Sequence, residues 1–307
     1  MENNIYDLAI LGAGPAGICA AIYATRAKLN TIWLDRKFVQ GGQIVDTYEV
    51  DNYPGLPGIT GLDLGEAMAG HAEKLGLKPK REPVISVADE GEIKVIRTKK
   101  NEYHAKAVII ACGATHRHLG IPGEEELGGM GVSYCATCDA AFFQEGTVAV
   151  VGGGNVAVED AILLSRTCRK VYLVHRRDEL RAEKILQDSL FGCHNVELVW
   201  DSVPVSVEGE DKVTALKVRN VKTDEEKEIP VDGVFIAVGI VPGSGKFKDL
   251  VKMDESGYII AGEDGVTSTP GIFAAGDIRT KNLRQVVTAV ADGANAVASV
   301  QRYLMEY

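Results

Sequence analysis

The chain has 307 residues, of which 46% are hydrophobic and 25% are charged. These proportions are typical of a globular protein and exclude disordered, fibrous and collagen-like classes, while the length predicts about two domains. Lys and Arg number 33 against 43 Asp and Glu, and the net charge of −10 argues against nucleic acid or an anionic membrane as the main partner. Six cysteines do not suggest a disulfide scaffold in a chain of this length.

The uncharged run over residues 8–25 is not expected to span a membrane. It is interrupted by Gly12, Gly14, Pro15 and Gly17, which are unusual in an apolar membrane helix of this length. The residues before it, MENNIYD, contain no basic side chain and do not resemble a signal peptide. We therefore expect a soluble, cytoplasmic protein with no membrane partner.

The N-terminus and the centre of the chain share one pattern. An apolar strand leads into a glycine-rich turn, a helical segment and a second apolar strand, first in YDLAILGAGPAG and TIWL, then in TVAVVGGGNVA and KVYLV. This is the context in which a GxGxxG motif binds a dinucleotide. Gly12 permits the tight turn, Gly14 lets the backbone approach a pyrophosphate, and Gly17 allows close helix packing. The matching residues of the second copy are Gly152, Gly154 and Ala157. Two nucleotide sites are predicted, the alternative being glycines that only turn a strand into a helix.

The two copies differ where the nucleotide is selected. Asp35 lies 23 residues after Gly12, where a carboxylate accepts from ribose hydroxyls. The same offset from Gly152 reaches His175, which is followed by three arginines, Arg176, Arg177 and Arg181. Arginine suits a ribose 2′-phosphate because it is a forked, permanently charged donor. We predict NADP over NAD at the second site; a solvated basic helix start is the alternative.

The remaining segments complete an α/β fold. Each copy is followed by strand-like pieces that suggest a small sheet before a closing strand, and residues 271–304 read as a strand, an acidic turn and a long helix. These last elements most simply complete the first unit. We predict two Rossmann-like domains, the second inserted in the first, with residues 1–115 and 246–307 in one domain and residues 116–245 in the other.

Cys135 and Cys138 enclose two residues, Ala136 and Thr137. Such a pair can close a small disulfide, and a thiolate near a helix start has a lowered pKa. Zinc is the alternative, but it needs further ligands, and the other cysteines are scattered at Cys19, Cys112, Cys168 and Cys193. We favour a redox pair without a metal.

Eight motifs in this order resemble the low-molecular-weight thioredoxin reductases, which are class II pyridine nucleotide-disulfide oxidoreductases. They are GAGPAG, GGQ, NYPG, SYCATCD, GGGNVAVEDA, HRRDELRAEK, GIFAAGD and RQVVTAVADG. The resemblance covers nearly the whole chain, and its most specific element is SYCATCD just before the second glycine-rich turn. It implies an NADPH-dependent thioredoxin-disulfide reductase (EC 1.8.1.9) that is a cytoplasmic homodimer.

The resemblance also implies which residues hold the cofactors. FAD would contact Gly12, Gly14, Pro15, Ala16 and Gly17 at the pyrophosphate, Asp35 and Arg36 at the adenosine ribose, Gly41, Gly42, Gln43 and Asn52 along the flavin, Gly276 and Asp277 at the ribitol or phosphate, and Arg284, Gln285 and Val286 beneath the isoalloxazine. NADPH would contact Gly152, Gly154, Asn155, Val156, His175, Arg176, Arg177 and Arg181.

The implied roles at the dithiol are as follows. Electrons pass from NADPH to FAD, then to the Cys135–Cys138 disulfide, then to a disulfide of a thioredoxin-like protein. Cys138 faces the flavin, Cys135 attacks the substrate, and Asp139 donates or accepts the proton, with helix N-capping as its alternative role. Domain rotation about hinges near residues 113–120 and 239–245 would let the dithiol meet both flavin and partner.

The sequence departs from the family pattern near the dithiol and near the second turn. Met130 stands where Arg is common, Ala140 and Ala141 follow Asp139, and Val156 replaces a hydroxyl residue. These departures leave the partner's identity open. Three other functions stay open as well: a same-fold reductase driven by ferredoxin or reduced flavin, a small-molecule dithiol oxidase, and a non-catalytic redox sensor.

Overall fold

The computed structural model describes residues 5–47, 50 and 52–306. The first four residues, part of the segment in which no signal peptide is expected, lie outside the described residues. The chain divides into two compact units, the first formed by Met1–Thr115 with Val241–Tyr307 and the second by His116–Ile240. The second unit is thus inserted in the first. No helix in the described ranges is long and apolar enough to cross a membrane.

The helices and strands follow in chain order. Before the insertion they are β1 (Ile5–Leu11), α1 (Pro15–Arg26), β2 (Thr31–Asp35), a 3-10 helix (Ile44–Asp46), α2 (Gly61–Lys74), β3 (Lys80–Arg81), β4 (Val84–Glu90), β5 (Ile93–Thr98), β6 (Glu102–Ile110) and β7 (Ala114–His116). Those that follow up to Pro242 are β8 (Val132–Ser133), α3 (Ala136–Asp139), a 3-10 helix (Ala140–Phe143), β9 (Thr147–Val151), α4 (Asn155–Ser165), β10 (Lys170–Val174), α5 (Lys184–Phe191), β11 (Val196–Val199), β12 (Ser202–Gly209), β13 (Val213–Asn220), β14 (Glu226–Pro230), β15 (Gly233–Ile236) and β16 (Ile240–Pro242). The chain ends with a 3-10 helix (Gly245–Phe247), β17 (Ile272–Ala274) and α6 (Val286–Glu306).

The first unit is built on a seven-stranded sheet. In it β1 pairs in parallel with β2 and β6, and β17 pairs in parallel with β6, while β4, β5 and β6 are antiparallel. The central parts of β1, β2, β6 and β17 are apolar and buried, because both faces of the sheet are covered there. Ile18 of α1 and Val297 of α6 belong to the core on one face, and Phe247 and Ile259 belong to the core on the other.

The second unit repeats this plan on a five-stranded parallel sheet, in the order β11-β10-β9-β15-β8, with a separate antiparallel sheet of β12, β13 and β14. β14 and β15 are separated by only two residues but belong to different sheets. Asp232 divides them: its backbone N–H donates to Thr147 O at 2.7 Å, and its carboxylate accepts from Thr147 N at 2.8 Å. These bonds end β14 and set the register of β15. The predicted α/β fold with an inserted second unit is confirmed.

Candidate active site

The first glycine-rich turn joins β1 to α1. A Cβ atom on Gly17 would lie 2.0 Å from Gly12 O, and one on Gly12, whose φ is +113°, would lie 2.3 Å from Ala111 O. Gly14 differs, since its nearest neighbour outside the turn would be Gly42 Cα at 3.8 Å. No side chain caps α1 at Gly14. The turn therefore presents open space and a positive helix end, which together favour a phosphate.

Further predicted residues meet at this edge of the sheet. Gly41 N donates to Ala13 O at 2.7 Å, which holds the GGQ loop against the turn. Asp35 ends β2 at the same edge and accepts from Lys37 N at 3.2 Å. Pro15 and Ala16 begin α1, Arg36 is exposed, and Gln43 is half-buried.

The NYPG loop reaches the start of α6. Asn52 Nδ2 donates to Gln285 Oε1 at 2.9 Å, although the two residues are 233 positions apart in sequence. Val286 begins α6 directly after this contact. The structure thus brings together two segments that the resemblance assigned to the flavin site.

Among the described residues of the first unit, two side-chain polar atoms are buried without a hydrogen-bond partner, Asp277 Oδ1 and Arg284 Nε. Burial raises the pKa of Asp277, while Lys281 and Arg284 oppose that rise. A Cβ on the preceding residue, Gly276, would lie 2.9 Å from Ala16 Cβ, so this turn packs against the start of α1. Buried polar groups normally have partners. A bound molecule with phosphate and hydroxyl groups would satisfy both atoms, and the glycine-rich turn offers room for it, so the residues present fit an adenine dinucleotide of the FAD type.

The second glycine-rich turn repeats this geometry. A Cβ on Gly152 would lie 2.5 Å from Ala237 O, whereas one on Gly154 would meet nothing within 4 Å. Asn155 begins α4, and its side chain accepts from Glu183 N at 2.9 Å. Val156 is 55% exposed.

His175 and the three arginines occupy different environments. His175 is 6% exposed, its Nε2 has no partner, and a Cβ on Gly153 would lie 2.3 Å from its ring. Burial lowers the pKa of His175, and the neighbouring arginines lower it further. Arg176, Arg177 and Arg181 are exposed. Arg181 is tied to the turn because its backbone N–H donates to Gly153 O at 2.8 Å. The histidine packs beneath the turn, and the guanidinium groups are accessible to a ligand.

Cys135 and Cys138 form a disulfide with a Cα–Cα distance of 5.3 Å. Cys135 is the N-cap of α3, and its Sγ accepts from Cys138 N at 3.2 Å. The other cysteines are free thiols. Burial raises the pKa of Cys19 and of Cys112 to about 11, which disfavours their thiolates.

Asp139 lies at the end of α3, next to the disulfide. Burial raises the pKa of its carboxyl, and a hydrogen bond from Ser133 Oγ at 2.6 Å partly offsets that rise. Asp139 is the N-cap residue of the 3-10 helix Ala140–Phe143, but its side chain makes no cap hydrogen bond there, and Cys135 is the N-cap of α3. Sequence reasoning did not single out Ser133; the only available signal was a hydroxyl residue two positions before Cys135.

Sequence reasoning also missed a buried polar cluster beside the disulfide. Tyr134 OH donates to Glu124 Oε1 at 2.8 Å and lies 2.9 Å from His118 Nδ1. Glu124 is 1% exposed and also accepts from Leu119 N and Gly120 N. The cluster fixes the residue directly before Cys135 to the segment that opens the second unit. No periodicity marks it, since Tyr134 follows Glu124 by 10 residues and His118 by 16.

The comparisons with known proteins agree with these features. The family model for pyridine nucleotide-disulphide oxidoreductases matches residues 6–293. The chain is 48% identical over 306 residues to a thioredoxin reductase of Listeria innocua, covering 99% of this chain and 96% of that protein. It is 46% identical to a thioredoxin reductase of Bacillus subtilis with the same coverage. A crystal structure of thioredoxin reductase from Streptococcus pyogenes superposes with a TM-score of 0.95 at 45% identity and covers all of both chains. The resemblance drawn from the motifs is confirmed, and the chain belongs to the pyridine nucleotide-disulphide oxidoreductases and, within them, to the thioredoxin reductases.

Proposed function

We propose that this protein is an NADPH-dependent, FAD-containing thioredoxin-disulfide reductase. Family membership implies a flavin and a pyridine nucleotide. The observation that carries the proposal is the Cys135–Cys138 disulfide beside the half-buried Asp139, in a chain with two glycine-rich turns of the same geometry. When bound, the flavin would relay two electrons from the pyridine nucleotide to this disulfide.

The first unit would hold FAD. Gly14 and the uncapped start of α1 would receive the diphosphate, with Pro15 and Ala16 at the same helix end. Asp35 would accept from the ribose hydroxyls, with Arg36 beside it. The two partnerless polar atoms, on Asp277 and Arg284, would gain partners from the ribitol and phosphate region. The loop and helix residues that would flank the ring are Gly41, Gly42, Gln43, Asn52, Gln285 and Val286.

The second unit would hold NADPH. Gly154, Asn155 and Val156 start α4, where helix dipole and open space favour the diphosphate. The exposed guanidinium groups after β10 would bind the ribose 2′-phosphate. His175 would support the turn from beneath, because its ring fills the space next to Gly153.

The nucleotide assignment is tested by Arg176→Ala combined with Arg181→Ala. A charge-assisted hydrogen bond contributes about 1.5–3 kcal/mol, so losing even one should lower kcat/KM for NADPH by about tenfold or more. The value for NADH should change by less than about twofold, since NADH lacks the phosphate. Arg219→Ala is the matched control, because Arg219 is an exposed arginine of the same unit that pairs with Asp224 at 3.7 Å. An unchanged NADPH/NADH preference in the double variant would refute the assignment.

At the dithiol, Cys135, Cys138 and Asp139 would have different roles in disulfide exchange. Cys138 would face the electron donor, and Cys135 would attack the partner's disulfide. The Cys135 thiolate would be stabilised by the Cys138 N–H, which already points at its sulfur at 3.2 Å. Asp139 would hold and release the proton that a thiol gains or loses, and its raised pKa suits that task.

The reaction itself is tested by anaerobic reduction of the flavin-loaded protein with NADPH, followed by addition of candidate thioredoxins. Bleaching by NADPH and reoxidation by a thioredoxin are expected for the wild type. Cys138→Ser should bleach and fail to reoxidise with thioredoxin. Failure to bleach with NADPH would favour a ferredoxin-driven or flavin-driven reductase. Bleaching without thioredoxin reduction would favour another substrate, as in a dithiol oxidase, and a single turnover would favour a redox sensor.

The proposed partner is a thioredoxin or thioredoxin-like protein, and we propose a cytoplasmic homodimer that binds neither nucleic acid nor membrane. Met130 and Phe142 lie within seven residues of the disulfide in sequence. They are 45% and 44% exposed, so a partner can contact them. Reoxidation rates measured for several thioredoxins would rank the partners, and light scattering of the loaded protein would give the oligomeric state.

A further inference from the structure

Ser133 has a hydroxyl that contacts both parts of the redox site. It ends β8 and is 5% exposed. Its Oγ donates to Asp139 Oδ2 at 2.6 Å and accepts from Cys135 N at 3.0 Å. Ser133 Oγ also lies 3.4 Å from Cys135 O, a longer contact. A hydroxyl carries one hydrogen, so the short bond to the carboxylate takes it and the lone pairs face the Cys135 N–H.

This arrangement links the acid to the nucleophile through a single side chain. β8 is held in the parallel sheet by β15, where Ser133 is opposite Phe235. The serine is therefore anchored by the sheet, whereas Cys135 is the N-cap and Asp139 the last residue of a short helix of four residues. A short helix is weakly stable alone, so tertiary bonds such as these must hold it in place.

We propose that Ser133 is a positioning residue for dithiol chemistry, which holds the Asp139 carboxylate and the Cys135 backbone in the geometry that proton transfer requires. The assignment of dithiol chemistry to this site rests on the proposed function, whereas the contacts of Ser133 do not. When the S–S bond opens, NADPH loses a hydride and becomes NADP⁺, and the two sulfurs become two thiols. The hydride accounts for both electrons and one proton, so one further proton is needed, and Asp139 is the nearby group that can deliver it.

The hydroxyl also affects the charge state of Asp139. A donor to a carboxylate favours its ionised form, so removal of the hydroxyl raises the pKa of Asp139 further. Loss of a hydrogen bond to a charged group should shift the titration by about one pH unit or more. If Ser133 had only a structural role, its substitution would change the stability of the protein but not the pKa of Asp139.

The test measures the pH dependence of iodoacetamide alkylation at Cys135 and Cys138 in dithiothreitol-reduced protein, with each cysteine quantified by mass spectrometry. Cys193, a free thiol of the same unit, is the internal reference. Asp139→Asn identifies the inflection that belongs to the carboxyl, because this inflection disappears in that variant. In Ser133→Ala the inflection should move to higher pH by about one unit.

Ser202→Ala is the matched control, since Ser202 is also 5% exposed in this unit but donates to a backbone carbonyl, Trp200 O at 2.7 Å. Its profile should equal that of the wild type, and Ser133→Thr should restore the wild-type inflection. Should Ser133→Ala give no folded protein, Ser133→Gly removes the same hydroxyl. The proposal is overturned by an unchanged inflection on loss of the Ser133 hydroxyl, by an unchanged profile in Asp139→Asn, or by Ser133→Thr behaving like Ser133→Ala. Alkylation needs neither NADPH nor thioredoxin, so its outcome is separate from that of the turnover assay.

Discussion

A buried carboxylate, Asp292 in α6, holds together the turn that carries Asp277. Asp292 accepts from Arg279 Nη2 at 2.6 Å and Nε at 2.8 Å, and from Lys281 Nζ at 3.0 Å. It also accepts from the backbone N–H of Gly276 at 2.8 Å. Asp292 and Arg279 are each 5% exposed, and the Lys281 side chain is 6% exposed. Two cations and one backbone donor therefore depend on one carboxylate, away from water.

Asp292→Ala should destabilise the first unit strongly. Removing one partner of a buried ion pair costs about 3–5 kcal/mol, because the remaining charge is left uncompensated. Here two cations lose their counter-charge, so we expect the upper part of that range. Glu73→Ala is the control, since Glu73 pairs with Lys78 at 2.7 Å but both side chains are accessible, and such pairs contribute about 1 kcal/mol or less.

The assay can isolate the first unit because the chain has two tryptophans, Trp33 in the first unit and Trp200 in the second. In a Trp200→Phe background, urea unfolding followed by fluorescence reports on Trp33, which is 1% exposed. Flavin release measured in the same titration should occur at lower urea in Asp292→Ala, because Gly276 loses its acceptor next to Asp277. A loss of less than about 1 kcal/mol would refute the reasoning.

The pH dependence gives a second check on the same cluster. Burial alone raises the pKa of Asp292, but the hydrogen bonds from Arg279 and Lys281 outweigh it, and the net pKa lies below the ordinary value of 3.8. A group with a lowered folded-state pKa stabilises the protein above its unfolded-state pKa and loses that contribution as pH falls. The stability gap between wild type and Asp292→Ala should be constant from about pH 8 to pH 5 and should narrow below about pH 4. A gap that widens in acid would contradict this assignment.

Two further predictions concern the neighbouring sites. Tyr134→Phe should cost about 1–3 kcal/mol in the second unit, because buried Glu124 loses a donor; Trp200 fluorescence in a Trp33→Phe background measures the loss. Against the effect of burial, hydrogen bonds, that of Tyr134 among them, lower the pKa of Glu124, so the stability gap between wild type and variant should narrow as pH falls below about 4. Gly17→Ala should abolish folding of the first unit, because its Cβ would lie 2.0 Å from Gly12 O. Gly14→Ala should fold normally, because its Cβ would have room, but it should bind flavin at least about tenfold more weakly. Flavin fluorescence would measure the affinity. Equal flavin affinity in Gly14→Ala and wild type would remove Gly14 from the diphosphate site.

The sequence predicts the local elements well because their signals are local. Helix α2 begins at Gly61, because Thr60 caps it by accepting from Asp63 N. The expected strand before Asp277 and the long final helix are present as β17 and α6. In each case, apolar periodicity or a capping residue lies within the segment itself.

The polar clusters could not be predicted in the same way. Asp292 appears in the sequence as one polar residue of an amphipathic helix, and its partners Arg279 and Lys281 precede it by 13 and 11 residues. Only the packing of α6 beside the Gly276 turn brings them together. Ser133 and Glu124 likewise gain their partners from tertiary structure, because a buried donor or acceptor binds whichever group the fold places within reach.

The glycines of the two turns show where motif reading needs the structure. Gly12, Gly17 and Gly152 are required by protein atoms within 2.5 Å of a Cβ, which explains them without any ligand. Gly14 and Gly154 have no such neighbour. A glycine in open space lowers stability relative to alanine, because it increases the entropy of the unfolded chain. At the start of a helix that follows a parallel strand, such a residue is consistent with a phosphate that approaches the backbone closely. The middle glycines of both turns are in this position, which supports the proposal that nucleotide diphosphates bind there.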